Sequence, residues 1–326
     1  MNDDTQPASE GLAALLKAAG DPLRLEILRI LQQDSYGVLE LGRVLDLRQS
    51  ALSYQLKVLS KAGLVVTRKE GNTVFYRRAA ANGPYRTLFA ELFAAADQLP
   101  LSETLLAGVQ AVQAERREAS REFFQRNAKR FRRYQDMIAS HQDYGEAISE
   151  LLTNIVPPSA ANVLEVGPGE GELLPTLSEH FESVIALELS SEMLQRSQEL
   201  SSKQALTNIR FFHGDTNAAV NEGLKADCIT INMVLHHTPS PADVFSDLGQ
   251  LLNPGGALLV TDLCRHDQSW AKEACGDQWL GFEPEDLTEW AGQAGLSEGQ
   301  SQYLALKNGF KVQLRHFMKR EMGDGR

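Results

Sequence analysis

The sequence predicts a multidomain chain, an N-terminal α+β winged helix-turn-helix followed by a C-terminal α/β, Rossmann-like domain. Three observations predict it. The 326 residues exceed one small domain, the soft prior being roughly 150 residues per domain. The first hundred residues read as helices followed by a short hairpin and one more helix. From position 162 onward, short apolar runs alternate with helical stretches around a glycine-rich turn.

Each element has a local cause. Gly11 to Ala19 reads as a short helix, and Asp21-Pro22 then supplies an N-cap with proline at the first helical position. Leu23 to Leu31 is apolar over much of a helical circumference. Val38 to Leu45 is a second short helix of the module, followed by the turn-like Asp46-Leu47-Arg48. Gln49 to Ala62 follows, closed by Gly63 as C-cap. Leu64 to Thr67 and Thr73 to Tyr76 are β-rich and flank Arg68-Lys69-Glu70-Gly71-Asn72, a hairpin with a charged tip. A helix at about 84–98 completes the module. The expected division is 1–100 for this domain, 101–119 for a linker helix and 120–326 for the second domain.

Composition is ordinary for a globular chain, with 43% hydrophobic and 23% charged residues. The net charge of -11 hides an asymmetry, because residues 42–78 hold eight basic residues against Asp46 and Glu70, net +6. An acidic body with one basic patch points to a local polyanion-binding surface. Cys228, Cys264 and Cys275 include no CxxC pair, and the start MNDDTQPASE is acidic and polar, so a reduced cytoplasmic protein is expected. There is no run of about 18 apolar residues, and no membrane span is expected.

In Gln49 to Leu59, Leu52, Leu56 and Leu59 fall on one stripe, leaving Gln49, Ser50, Ser53, Tyr54 and Lys57 outward as the DNA-reading set. Packing against a neighbouring helix is the competing reading for Tyr54 and Gln55. Arg68 and Lys69, with Asn72 at the tip, suit contacts to the DNA backbone or minor groove. The segments DPLRLEILRIL and QSALSYQLKVLSKAGLVVTRKEGNTVFYRR resemble the ArsR/SmtB family of bacterial repressors over about residues 10–98. That resemblance implies double-stranded operator DNA as partner. It also implies a homodimer through the first and last helices, where Leu12, Leu15, Leu16, Leu88, Phe89, Leu92 and Phe93 form apolar sets that would serve a monomeric core equally well. Metal-sensing members carry paired cysteines in the helix before the recognition helix. Here that stretch is Val38-Leu39-Glu40-Leu41-Gly42-Arg43, so thiolate sensing at that site is excluded and no metal is expected.

In the second domain, Phe123, Phe124, Ala128 and Phe131 resemble the arm that precedes many class I methyltransferase domains. Strand Asn162 to Val166 runs into Gly167-Pro168-Gly169-Glu170-Gly171, a motif that is weak alone. Its context strengthens it. The next strand, Ser183 to Leu187, ends at Glu188, 21 residues after Gly167, near the roughly 20-residue interval of an acid that binds ribose hydroxyls. Strands at Ile209 to Phe212, Ala226 to Asn232 and Ala257 to Thr261 follow in order. The series closely resembles small-molecule-type S-adenosylmethionine-dependent methyltransferases of class I. GxGxG in place of GxGxxG, and Asn253-Pro254-Gly255-Gly256 before the fifth strand, disfavour a nicotinamide dehydrogenase. The resemblance implies S-adenosylmethionine or S-adenosylhomocysteine as ligand. Glu165, Gly167, Pro168, Gly169, Glu188, Leu189, Met193, Asp215, Thr216, Asn232, Met233 and Val234 would hold it, Glu188 on the ribose diol and Asp215 on the adenine amino group.

Methyl transfer from a sulfonium needs alignment above all, and a base only where the nucleophile must lose a proton. His236 and His237 stand where such a base would act, with a structural role as the alternative. There is no Asn-Pro-Pro-Tyr for base amino methylation and no Pro-Cys for cytosine C5 chemistry. Cys264 and Cys275 lack the spacing of arsenic methyltransferases. Three functions stay open: a regulator whose second domain senses the adenosyl ligand, a working methyltransferase with an autoregulatory DNA-binding module, and a winged helix used only for docking. The fused layout resembles S-adenosylhomocysteine-responsive regulators of the methionine cycle, and the intact basic helix counts against docking alone.

Overall fold

A computed structural model describes residues 8–32, 34–80, 83–156 and 160–321, without the side chains of 8, 83, 124–133 and 273. The side chains of Phe124, Ala128 and Phe131, expected in the methyltransferase arm, lie outside the described residues. The chain forms two compact units, Met1–Arg116 and Arg117–Arg326.

In the first unit, α1 (Ala8–Ala19) precedes α2 (Pro22–Ile30), whose Asp21 cap accepts the Arg24 N–H at 3.1 Å. A two-residue strand β1 (Tyr36–Gly37) leads into α3 (Val38–Val44), and α4 (Gln49–Lys61) follows. The hairpin is β2 (Val65–Glu70) and β3 (Thr73–Arg78), antiparallel with Arg68 opposite Phe75 and Glu70 opposite Thr73. β1 pairs with β3, giving the order β1-β3-β2. α5 (Arg86–Asp97) and the first part of the long helix α6 (Glu103–Ile138) close the core. Ile27, Leu28, Leu41, Leu52, Leu56 and Leu59 are its buried centre, and Val112 of α6 joins it. The Arg116 guanidinium, stacked on Tyr36 and Phe75, also grips the Glu40 carboxylate at 2.6 Å. These contacts carry the first unit as far as Arg116, past the expected boundary at residue 100.

In the second unit, α7 (His141–Ile155) precedes the alternating series β4 (Asn162–Val166), α8 (Leu174–His180), β5 (Ser183–Glu188), α9 (Ser191–Lys203), β6 (Ile209–His213), α10 (Thr216–Asn221), β7 (Ala226–Asn232), α11 (Pro241–Leu251) and β8 (Leu252–Leu263). After α12 (Trp270–Cys275) and α13 (Pro284–Gln293), β9 (Leu296–Ala305) and β10 (Lys311–Lys319) end the chain's regular structure. Among the described residues the sheet has seven strands in the order β6-β5-β4-β7-β8-β10-β9. β4, β5, β6, β7 and β8 run parallel, and β10 enters antiparallel between β8 and β9. The strand order reverses between β4 and β7, and ligands of open α/β sheets bind at the carboxyl ends of the strands at such a point. No helix among the described residues is long and apolar enough to cross a membrane.

Candidate functional site

On α4 the i, i+4, i+7 stripe buries Leu52, Leu56 and Leu59 completely. Gln49, Ser50, Ser53, Tyr54 and Lys57 are exposed as expected, Tyr54 by 64%. Gln55 instead accepts from the Arg24 guanidinium at 2.9 Å, so of that pair only Tyr54 stands outward. Lys69 and Asn72 are exposed on the wing.

Arg68 is not. The two-residue period of β2 turns Arg68 and Glu70 to the same inner face, where the two form a buried ion pair, while Lys69 points out. The expectation that Arg68 meets DNA is therefore corrected. The basic patch is also thinner than its sequence charge, since Arg78 pairs with Asp97 at 2.6 Å and Arg43 with Glu115 at 2.7 Å. Of the apolar sets assigned to a dimer interface, Leu15 and Phe89 are buried in the unit's own core, whereas Leu16 is 52% exposed.

The second site lies where β4, β5 and β7 end. Gly167 (φ +68°) and Gly169 (φ +57°) take left-handed conformations that other residues adopt only with strain. A Cβ on Gly167 would stand 2.5 Å from Val234 Cγ2, which places Val234 directly against the glycine turn. Gly167→Ala is thus expected to destabilise the second unit by about 1–3 kcal/mol, read as a lower Tm, from strained backbone together with overpacking. The Glu188 carboxylate accepts the Ser190 N–H at 2.8 Å and the Gly169 N–H at 3.3 Å, so the glycine turn and the end of β5 are tied together. Burial leaves the Glu188 pKa raised, the N–H groups of Ser190, Gly169 and Leu189 offsetting it only in part.

Glu165, at the inner end of β4, is 3% exposed, and its Oε2 has no hydrogen-bond partner among the described residues. Burial, with Glu188 nearby, pushes its pKa to about 8. A carboxyl raised in the folded state favours folding when protonated, and that contribution disappears as pH rises through about 8. The ligand-free protein is therefore expected to lose Tm as pH rises from about 5 to about 8 and to level off above that, by roughly 2–4 °C per 1 kcal/mol. Glu165→Gln should flatten that slope in a calorimetric pH series.

Asn232 ends β7 with both side-chain amide atoms buried and unbonded among the described residues. Met233 follows at φ +56°. Leu189 is 56% exposed beside Glu188, and Met193 is buried under the start of α9. Asp215 caps α10, accepting the Ala218 N–H at 2.8 Å, and is exposed just beyond β6. Pro168 lies within the turn, its carbonyl accepting the Gly171 N–H at 2.8 Å. Thr216 is buried, and Asp247 engages its hydroxyl at 2.6 Å. Glu165, the glycine turn, Glu188 and Asn232 to Val234 are thus gathered at one end of the parallel strands.

His236 and His237 sit on a short 3-10 turn (Leu235–His237) after β7, and neither lies open to solvent, with exposures of 1% and 7%. His236 Nδ1 is 2.7 Å from Asp262 Oδ1 at the end of β8. Burial alone would lower the His236 pKa, but Asp262 and Asp277 outweigh it and raise it to about 9. His237 is driven the other way by burial and by His236. Sequence reading missed both carboxylates. Asp262 and Asp277 lie 26 and 41 residues beyond His236, and no motif links them.

The two sites define a class: a winged-helix DNA-binding region in the same chain as a Rossmann-like, class I methyltransferase domain. The chain belongs to the methyltransferase-domain family, whose model matches residues 128–301. Residues 21–67 match the bacterial regulatory protein, arsR family. An uncharacterized methyltransferase of Mycobacterium tuberculosis is 32% identical over 134 residues, 39% of this chain and 66% of its own length. A malonyl-[acyl-carrier protein] O-methyltransferase of a Marinomonas species is 28% identical over 159 residues, 48% of this chain and 57% of its own. The chain spans less than two thirds of these relatives' lengths. The solved magnesium protoporphyrin IX methyltransferase of Synechocystis PCC 6803, with bound S-adenosylhomocysteine, has TM-score 0.52 at 18% identity. That match covers 62% of this chain and 99% of the other, and it supports the fold.

Proposed function

We propose that this protein is a DNA-binding transcriptional regulator, dimeric and cytoplasmic, whose methyltransferase-like domain takes up S-adenosylmethionine or S-adenosylhomocysteine as effector. The observation that carries the reading is the union in one chain of an arsR-type region bearing an exposed polar helix face with a cradle whose Glu188 carboxylate is held ready at the end of β5. In this reading Gln49, Ser50, Ser53, Tyr54, Lys57, Lys69 and Asn72 meet operator DNA. Glu188 accepts the ribose hydroxyls, Gly167 and Gly169 admit the methionyl part, and Asn232 to Val234 line the ligand. Burial of His236 and His237 among Asp262 and Asp277 also supports an effector role, because neither imidazole stands open as a base. The ligand needs only a coupling of about 1–3 kcal/mol between two dimer states to act as a switch.

The named relatives favour a second reading, an active small-molecule methyltransferase with an autoregulatory DNA-binding module. Calorimetric titration with each adenosyl ligand, repeated on the complex with the protein's own promoter DNA, separates them. A several-fold change in DNA affinity supports the effector reading and identifies the signal. Binding of both ligands with unchanged DNA affinity turns the case to the enzyme.

A further inference from the structure

The turn after β7 and the loop after α12 are fastened together by main-chain bonds. Gly276, in the left-handed region at φ +73°, turns the chain out of α12. The N–H groups of Gln278 and Trp279 then donate to the His236 carbonyl at 2.8 and 3.1 Å. The Gln278 amide donates to the His237 carbonyl at 3.2 Å and the Trp279 indole to that of Thr238 at 2.8 Å. This clamp holds Asp277 beside both imidazoles.

One ligand atom from each of His236, His237 and Asp277 lies within 4.8 Å of the others, and all three residues are buried. Asp277 Oδ1 stands 3.5 Å from His237 Nδ1 and 3.9 Å from His236 Nε2. Those separations exceed a normal hydrogen bond. They are close to the spacing of about 3.4 Å between neighbouring ligand atoms around a tetrahedral ion bonded at 2.0–2.2 Å. The other nitrogen of His236 meets the Asp262 carboxylate at 2.7 Å. A carboxylate behind the imidazole is the arrangement that orients metal-ligating histidines and fixes their tautomer.

We propose that His236 Nε2, His237 Nδ1 and the Asp277 carboxylate bind one divalent transition metal ion, Zn2+ fitting best, with Asp262 orienting His236. Two imidazoles and one carboxylate suit Zn2+ and Co2+, whereas Mg2+ and Ca2+ take oxygen shells. The site is independent of whether the domain senses its adenosyl ligand or uses it.

The test uses the full-length, untagged protein stripped with chelator and titrated with Co2+ by visible absorbance, then with Zn2+ in competition. The expected result is one ion per chain with the bands of low-coordinate cobalt, displaced by Zn2+. Asp262→Asn should weaken binding by about 10–100-fold, and His237→Gln and Asp277→Asn should weaken it more. X-ray absorption on the Zn2+-loaded wild type reads the shell without any variant and should show nitrogen and oxygen alone. The proposal is overturned if wild type binds neither ion stoichiometrically, if sulfur enters the shell, or if folded His237→Gln or Asp277→Asn protein binds like wild type.

Discussion

Glu188→Ala is expected to weaken S-adenosylhomocysteine binding by at least about a hundredfold. The carboxylate closes β5 and is already oriented by the Ser190 and Gly169 N–H groups at 2.8 and 3.3 Å. Orienting it therefore adds little to the cost of binding. A hydrogen bond to a charged acceptor contributes about 1.5–3 kcal/mol, and the ribose diol offers two. Their joint loss corresponds to two or more factors of ten in affinity. Calorimetry on the variant, with circular dichroism confirming that it folds, reads the effect. Glu188→Gln keeps the shape and one acceptor oxygen, its NH2 being a donor only, and should lose less. Wild-type affinity in a folded Glu188→Ala protein would remove the ligand from this site. Effector and enzyme readings need the same cradle, so the variant tests the site apart from its use.

The parts legible in the sequence are those with local causes. Asp21-Pro22, the leucine stripe of α4, the left-handed glycines after β4 and the acid 21 residues on each act within a short stretch: Asp21 caps α2, the leucines are buried, the glycines are left-handed and Glu188 ends β5. What escaped depends on distant partners. β9 and β10 extend the sheet by antiparallel pairing, β10 lying against β8 with Val312 opposite Leu263, and no local signal announces that pairing. Asp277 reaches His237 across 40 residues only because the loop after α12 folds back on the turn after β7. The Thr216 hydroxyl donates to Asp247 on α11, a partner 31 residues away that no local pattern announces. Charge misled where pleat decided: Arg68 and Lys69 are adjacent cations, but a strand sends them to opposite faces.

That last difference gives the second large effect. Arg68→Ala is expected to destabilise the winged-helix domain by up to about 3–5 kcal/mol, because it removes the Arg68 guanidinium from the Glu70 carboxylate, which is 1% exposed. For a domain of this size that is a fall in Tm of roughly 4–8 °C per 1 kcal/mol. Lys69→Ala and Lys57→Ala should instead leave Tm nearly unchanged, since both side chains are exposed. Each should reduce the slope of log affinity for promoter DNA against log salt by about 1 per protomer, about 2 for the dimer, as expected for one lost phosphate contact on each. Thermal melts and salt-dependent binding on the three variants separate the roles. A stable Arg68→Ala protein with a reduced salt slope would return Arg68 to the DNA-facing surface. A destabilised one whose folded fraction keeps the wild-type slope leaves it in the wing's interior, where it holds the hairpin that carries Lys69.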